Sequence, residues 1–125
     1  MSRVSSRLLG ILALATLPIA VLTGKVSAHH TFVSKYDSSK LTTVSGTVGS
    51  VSYTNPHIFF DVGGWAVETE SISVASGKGL TKERLKEGAK VTVSGWKARD
   101  GSAAMGLHSI SFSGGPSITM RGSAR

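Results

Sequence analysis

A chain of 125 residues with no cysteine and a net charge of +7 has room for one domain and must hold it without disulfides. Thiolate catalysis, thiol redox chemistry, cysteine-based zinc sites and iron–sulfur clusters are thereby excluded. The positive charge favours anionic surfaces such as lipid head groups or acidic polysaccharide, and argues only weakly for nucleic acid.

Residues 1–28 read as a cleavable secretion signal. Arg3 and Arg7 precede an apolar run from Leu8 to Leu22, interrupted only by Gly10, Thr16 and Pro18. At 15 residues the run is shorter than the ~20 that a membrane-spanning helix needs. Val26-Ser27-Ala28 then offers compact residues at the −3 and −1 positions of a cleavage site. With no twin-arginine pair, general secretion is the expected route, to a periplasmic or secreted location with no membrane span left after cleavage. The mature part would keep 11 of the 14 Lys and Arg residues and all 7 acids, a net charge of +4. Export makes a nucleic-acid partner weaker still, and none is expected.

Residues 29–40 form an N-terminal segment, and 41–113 a β domain. From Thr42 onward, runs of Val, Ile, Thr, Phe and Trp alternate with Gly, Asn and Pro breaks, a strand rhythm. Val44, Gly46 and Val48 share one parity and Val51 and Tyr53 the other, which predicts a bulge at Gly49-Ser50 in a long, bent first strand. Thr54-Asn55-Pro56 predicts a turn. In the second strand Ile58, Phe60 and Val62 face one side, with His57, Phe59 and Asp61 opposite. Gly63-Gly64 predicts a hairpin into a third strand from Trp65 to Thr69. Residues 71–79, rich in Ser and Gly, read as loop or a weak turn. The expected helix follows, with Thr81 as N-cap, Leu80 stapling onto Leu85 and Gly88 as the left-handed stop. Val91 to Trp96 and Met105 to Phe112 are the fourth and fifth strands, joined by a turn at Ala98–Ser102. The tail, 114–125, is expected to be flexible. Three strands, a short helix and two strands give a mostly β fold: a small five-stranded OB-like barrel.

Several segments occur in an order that resembles an uncharacterised exported "domain of unknown function" family of Gram-negative bacteria. They are Ala28-His29-His30-Thr31-Phe32, Tyr53-Thr54-Asn55-Pro56-His57, Trp65-Ala66-Val67-Glu68, Gly79-Leu80-Thr81-Lys82, Gly88 to Gly95 and Ala98-Arg99-Asp100-Gly101-Ser102. The resemblance implies export and a small β fold up to about Phe112, and supplies no activity. The sequence departs from the family pattern at 71–78, and His108 lies outside that pattern.

Four histidines carry the most specific chemistry. Cleavage after Ala28 would make His29 the N-terminus, where the α-amine and imidazole of one residue can chelate a metal together. A third nitrogen from His57, behind its Asn-Pro turn, would complete a T-shaped site suited to copper, with zinc as the other candidate and His30 as a further ligand. Their expected metal-free role is a solvated terminus and a turn cap. His108 shares parity with Ile110 and Phe112 and reads as half-buried. Asp61, Glu68 and Glu70 read as a solvated strand face rather than a catalytic carboxylate pair, and no nucleophile elbow or phosphate-binding loop is present. Enzymatic activity is therefore the least supported reading. The alternative to metal binding is an envelope module recognising a protein, peptide or glycan through Tyr53, Phe59 and Trp96, if these are exposed; at least two of them are expected instead to bury, in the core or against the N-terminal segment around Phe32 and Tyr36. Oligomeric state is not legible.

Overall fold

The computed structural model describes residues 32–121. The expected secretion signal, His29 and His30 lie outside these residues. The protein is mostly β. A helical turn over residues 32–35 leads directly into β1 (Tyr36–Ser52). β2 (Phe59–Val62), β3 (Trp65–Glu68), α1 (Ile72–Gly77), β4 (Lys90–Ala98), β5 (Ala104–Phe112) and β6 (Ile118–Thr119) follow.

The strands pair in the order β3-β2-β1-β4-β5-β6, all antiparallel, and β3 additionally pairs with β5 in parallel. β1 serves two neighbours because it is long. Its centre runs beside β4, from Leu41 opposite Trp96 to Thr47 opposite Lys90, and its end runs beside β2. The register with β2 shifts between Val48 and Val51, which is where the parity switch at Gly49-Ser50 predicts a bulge. The β2–β3 hairpin turns through Gly63 (φ +54°) and Gly64 (φ +81°), and Val62 pairs with Trp65. Positive φ at both central residues suits the right-handed twist of the strands, and glycine adopts it without a steric penalty.

The core follows the predicted alternation. Ile58, Phe60 and Val62 point inward from the second strand region, and Val67, Val91, Val93, Met105, Leu107 and Ile110 meet them. A second, smaller cluster of Phe32, Tyr36 and Trp96 lies apart from this core.

Three expectations change. The helix between β3 and β4 is not at Thr81 but at Ile72–Gly77, in the segment read as loop or a weak turn, where Ser71 caps it by accepting from Val74 N. Leu80 and Leu85 are fully buried as the staple requires, and Gly88 has φ +86°, yet only one turn forms between them, closed by Leu85 N donating to Thr81 O at 2.9 Å. Burial of the two leucines fixes this loop without a continued helix. Among the described residues the strands number six rather than five. The tail expected to be flexible is ordered as far as Arg121, because β6 pairs with β5 and Met120 is buried in the main core. No helix among the described residues is long and apolar enough to cross a membrane.

Met120→Ala is expected to lower stability by about 2–4 kcal/mol, the cost of emptying a buried methionine site. Urea denaturation checks this; a loss below about 0.5 kcal/mol, the range of a neutral surface change, would contradict the anchoring role of the C-terminal segment.

Candidate functional site

The β3–β5 and β4–β5 pairings set three residues in one row across the sheet: Glu68 opposite Gly106, and Gly106 opposite Trp96. The middle position carries no side chain, and this makes a seat. A Cβ at Gly106 would come within 2.1 Å of Phe32 Cζ and 2.9 Å of Tyr36 Cδ2. The N-terminal turn occupies that seat with both rings. Phe32 and Tyr36 pack at 4.8 Å between centroids, and Phe32 meets Trp96 edge-on at 6.0 Å. The Arg121 guanidinium lies 3.9 Å from the Phe32 centroid and its Nε is 3.2 Å from Glu70 Oε1, so the end of the described chain holds its beginning.

Seating the turn places two donors on Glu68, and His57 supplies a third from the other side. Lys35 Nζ donates to Oε2 at 2.8 Å, and the Tyr36 hydroxyl donates to the same oxygen. His57 Nδ1 lies 2.8 Å from Oε1. Glu68 is only 4% exposed. Burial alone would raise its carboxyl, but the hydrogen bonds from Lys35, Tyr36 and His57 together hold it below the ordinary carboxylate range. Burial, reinforced by the neighbouring carboxylate, pushes the Tyr36 phenol upward, so it stays protonated as a donor. An ionised carboxylate only accepts, so Nδ1 of His57 carries the proton it shares, and in the neutral ring Nε2 keeps its lone pair. The imidazole side chain is 22% exposed.

This corrects the reading of Glu68 as solvated. Its outward parity holds, but the N-terminal turn covers it. Glu70 is likewise half-buried, beside Lys78 at 3.7 Å and Arg121. Asp61 remains exposed and accepts from Ser50 Oγ at 2.5 Å. The three aromatics of the expected ligand surface do not come together as one. Trp96 is 4% exposed because Phe32 covers it, with His108 packed at 5.2 Å on its ring. Tyr53 packs against the core and donates its hydroxyl to Leu80 O at 2.9 Å. Only Phe59 is exposed. His108 is half-buried and donates Nδ1–H to Arg121 O. Lys35 and Tyr36 were not legible as site residues. The signal for Glu68 was present: a two-residue hairpin puts it opposite Phe59, on the same face as His57 and diagonal to it. Among the described residues, no group of three or more His, Asp or Glu could hold a metal ion.

Gly106→Ala is expected to expel Phe32 from its seat, exposing Trp96 while the β sheet remains. The variant should show Trp emission at longer wavelength and lose about 1.5–3 kcal/mol, the worth of one buried phenylalanine. Unchanged emission and stability would contradict the seat. A second expectation concerns pH. Since the folded state holds Glu68 below its ordinary value, its contribution is complete above about pH 4.3 and is lost as pH falls through the folded value. Between about pH 7 and pH 3 the urea midpoint of the wild type should therefore fall further than that of Glu68→Gln. Parallel profiles would show that the carboxylate is not specially stabilised.

No curated protein and no solved structure matches the chain. A family model, described as a family of unknown function, matches residues 17–108, more than half of the sequence. This bears out the resemblance to an uncharacterised family drawn from the sequence motifs. The chain belongs to the family of unknown function DUF6152.

Proposed function

We propose that this chain is an exported metal-binding protein that takes copper or zinc through His57 together with His29 and His30, carried on an OB-like barrel closed by five of the six described strands, β1–β5. The observation behind the metal reading is the 2.8 Å contact between His57 Nδ1 and Glu68 Oε1. Metal-ligating histidines commonly donate their second ring nitrogen to a carboxylate, which fixes the tautomer and makes the free nitrogen a better ligand. Glu68 serves His57 in that way.

The same carboxylate ties down Lys35 and Tyr36. Metal binding there needs the short stretch before Phe32 to bring His29 and His30 to His57 while the turn stays seated. Their imidazoles, with the amine that cleavage after Ala28 would create, supply nitrogen donors suited to copper and acceptable to zinc. The barrel reading is supported by the cyclic pairing β1–β2–β3–β5–β4–β1 and by the bulge in β1. Export rests on the basic start, the short apolar run and the small-residue site before His29. The envelope-module alternative loses support, since Trp96 and Tyr53 are engaged within the fold.

Intact mass of the exported protein, followed by copper and zinc titration of the same material, tests the proposal. The expected result is a chain starting at His29 with a Kd below about 1 μM, lost in His29→Ala and His57→Ala. Glu68→Gln should weaken binding about 10–100-fold, as removal of a supporting carboxylate does. Binding that survives His57→Ala unchanged would overturn it.

A further inference from the structure

A second site lies on the far side of the Ala98–Ser102 turn, in a cleft of about 540 Å³ lined by Asp37, Lys40, Trp65, Lys97, Arg99 and Ser102 among others. Neither His57 nor Glu68 contributes to it. We propose that this cleft binds an acidic sugar, a uronic acid unit of an anionic polysaccharide, with the sugar ring against the Trp65 indole and its carboxylate on Lys97 and Lys40.

Three observations carry this. The first is the aromatic floor. Trp65 is half-buried, its indole anchored against the main core, and Lys97 Nζ lies 5.9 Å from its centroid. An ammonium resting on a solvated ring is weakly held, so a ligand that offers a carboxylate can draw it off and take the ring face for itself. The second is the charge balance. Three cations and one acid line the cleft, and that acid is already engaged: Asp37 accepts from Ser39 N at 3.0 Å and Ser39 Oγ at 2.6 Å. Lys40 Nζ stands 3.9 Å from Asp37 and is 68% exposed, while Lys97 is exposed, so both ammonium groups can turn to an incoming anion.

The third is a preformed wall. Asp100 Oδ1 accepts from Ser102 N at 2.8 Å, Gly101 takes φ +79°, and Ala66 N donates to Ala103 O at 2.9 Å. Arg99 is fixed from two sides, with its backbone N donating to Lys35 O at 2.8 Å and its Nε to Val33 O at 2.9 Å. A ligand that enters such a cleft has little loop ordering to impose. A bilayer surface fits less well: the exposed large apolar residues Val33, Leu41, Phe59 and Val74 are absent from the lining, so there is nothing on this rim to insert.

Trigalacturonate, added to the purified protein and followed by tryptophan emission, tests the inference. Trp65 reports from the cleft, while Trp96 is buried and insensitive. A saturable change is expected, weakened about tenfold or more by Lys97→Gln, a surface change that leaves the fold intact. It should be absent with neutral maltotriose and unaffected by EDTA, which separates this site from any metal bound by His57. An unsaturated response, equal binding by Lys97→Gln, or equal binding of maltotriose would overturn the inference. Binding to phosphatidylglycerol vesicles without binding to trigalacturonate would overturn it in favour of a lipid head group.

Discussion

The missing side chain at Gly106 is the constraint on which the rest of the site depends. Outward-facing positions of a β sheet ordinarily meet water, and a row such as Glu68–Gly106–Trp96 would be solvated if its centre carried a methyl group. The gap instead admits Phe32 and Tyr36, and their burial brings the N-terminal turn onto the sheet. One hydrophobic contact thereby changes the electrostatics of the whole face. Glu68 leaves water, and burying a carboxylate is costly unless its oxygens are bonded. The turn that buries it also delivers Lys35 and Tyr36, and the segment just before β2 delivers His57 from the other side. Packing and polar satisfaction are thus supplied by the same five residues of chain, and loss of either should weaken the other.

The opposite end of the described chain closes this arrangement. Met120 sits in the main core, and Arg121 next to it covers Phe32 and pairs with Glu70. The small cluster around Phe32 is therefore tied to the large core through Met120 and Arg121, rather than riding loosely on the surface. A domain without disulfides benefits from such ties, because both ends of the described residues contribute to burial.

Much of the strand pattern was legible because period-two alternation and glycine turns are local signals. The parity switch at Gly49-Ser50 and the Gly63-Gly64 hairpin both stand in the structure where the residues indicated. The helix was misplaced because its cues competed. Thr81, Leu80, Leu85 and Gly88 satisfy capping and staple rules, but the leucines are buried by tertiary contacts that need only one turn, while Ser71 caps a helix of low-propensity residues upstream. Trp96 was given the correct face and, in the preferred reading, its cover by the segment around Phe32 and Tyr36, whereas Glu68 was given the correct face and the wrong environment. Alternation tells which side a residue faces, whereas the cover over that side comes from Phe32 and Tyr36, far away in sequence. His57 could have been joined to Glu68 by counting back from the hairpin, since register alone makes them diagonal neighbours.

Glu68 orients His57 through Nδ1, which leaves Nε2 without the proton. Ring ¹⁵N NMR of His57 at neutral pH reads this directly. The expected spectrum is that of the Nδ1–H tautomer, with Nε2 unprotonated and, if the proposed metal site forms, selectively shifted when zinc is added to the protein starting at His29. A ring protonated on Nε2, or one that averages between tautomers and ignores zinc, would contradict it.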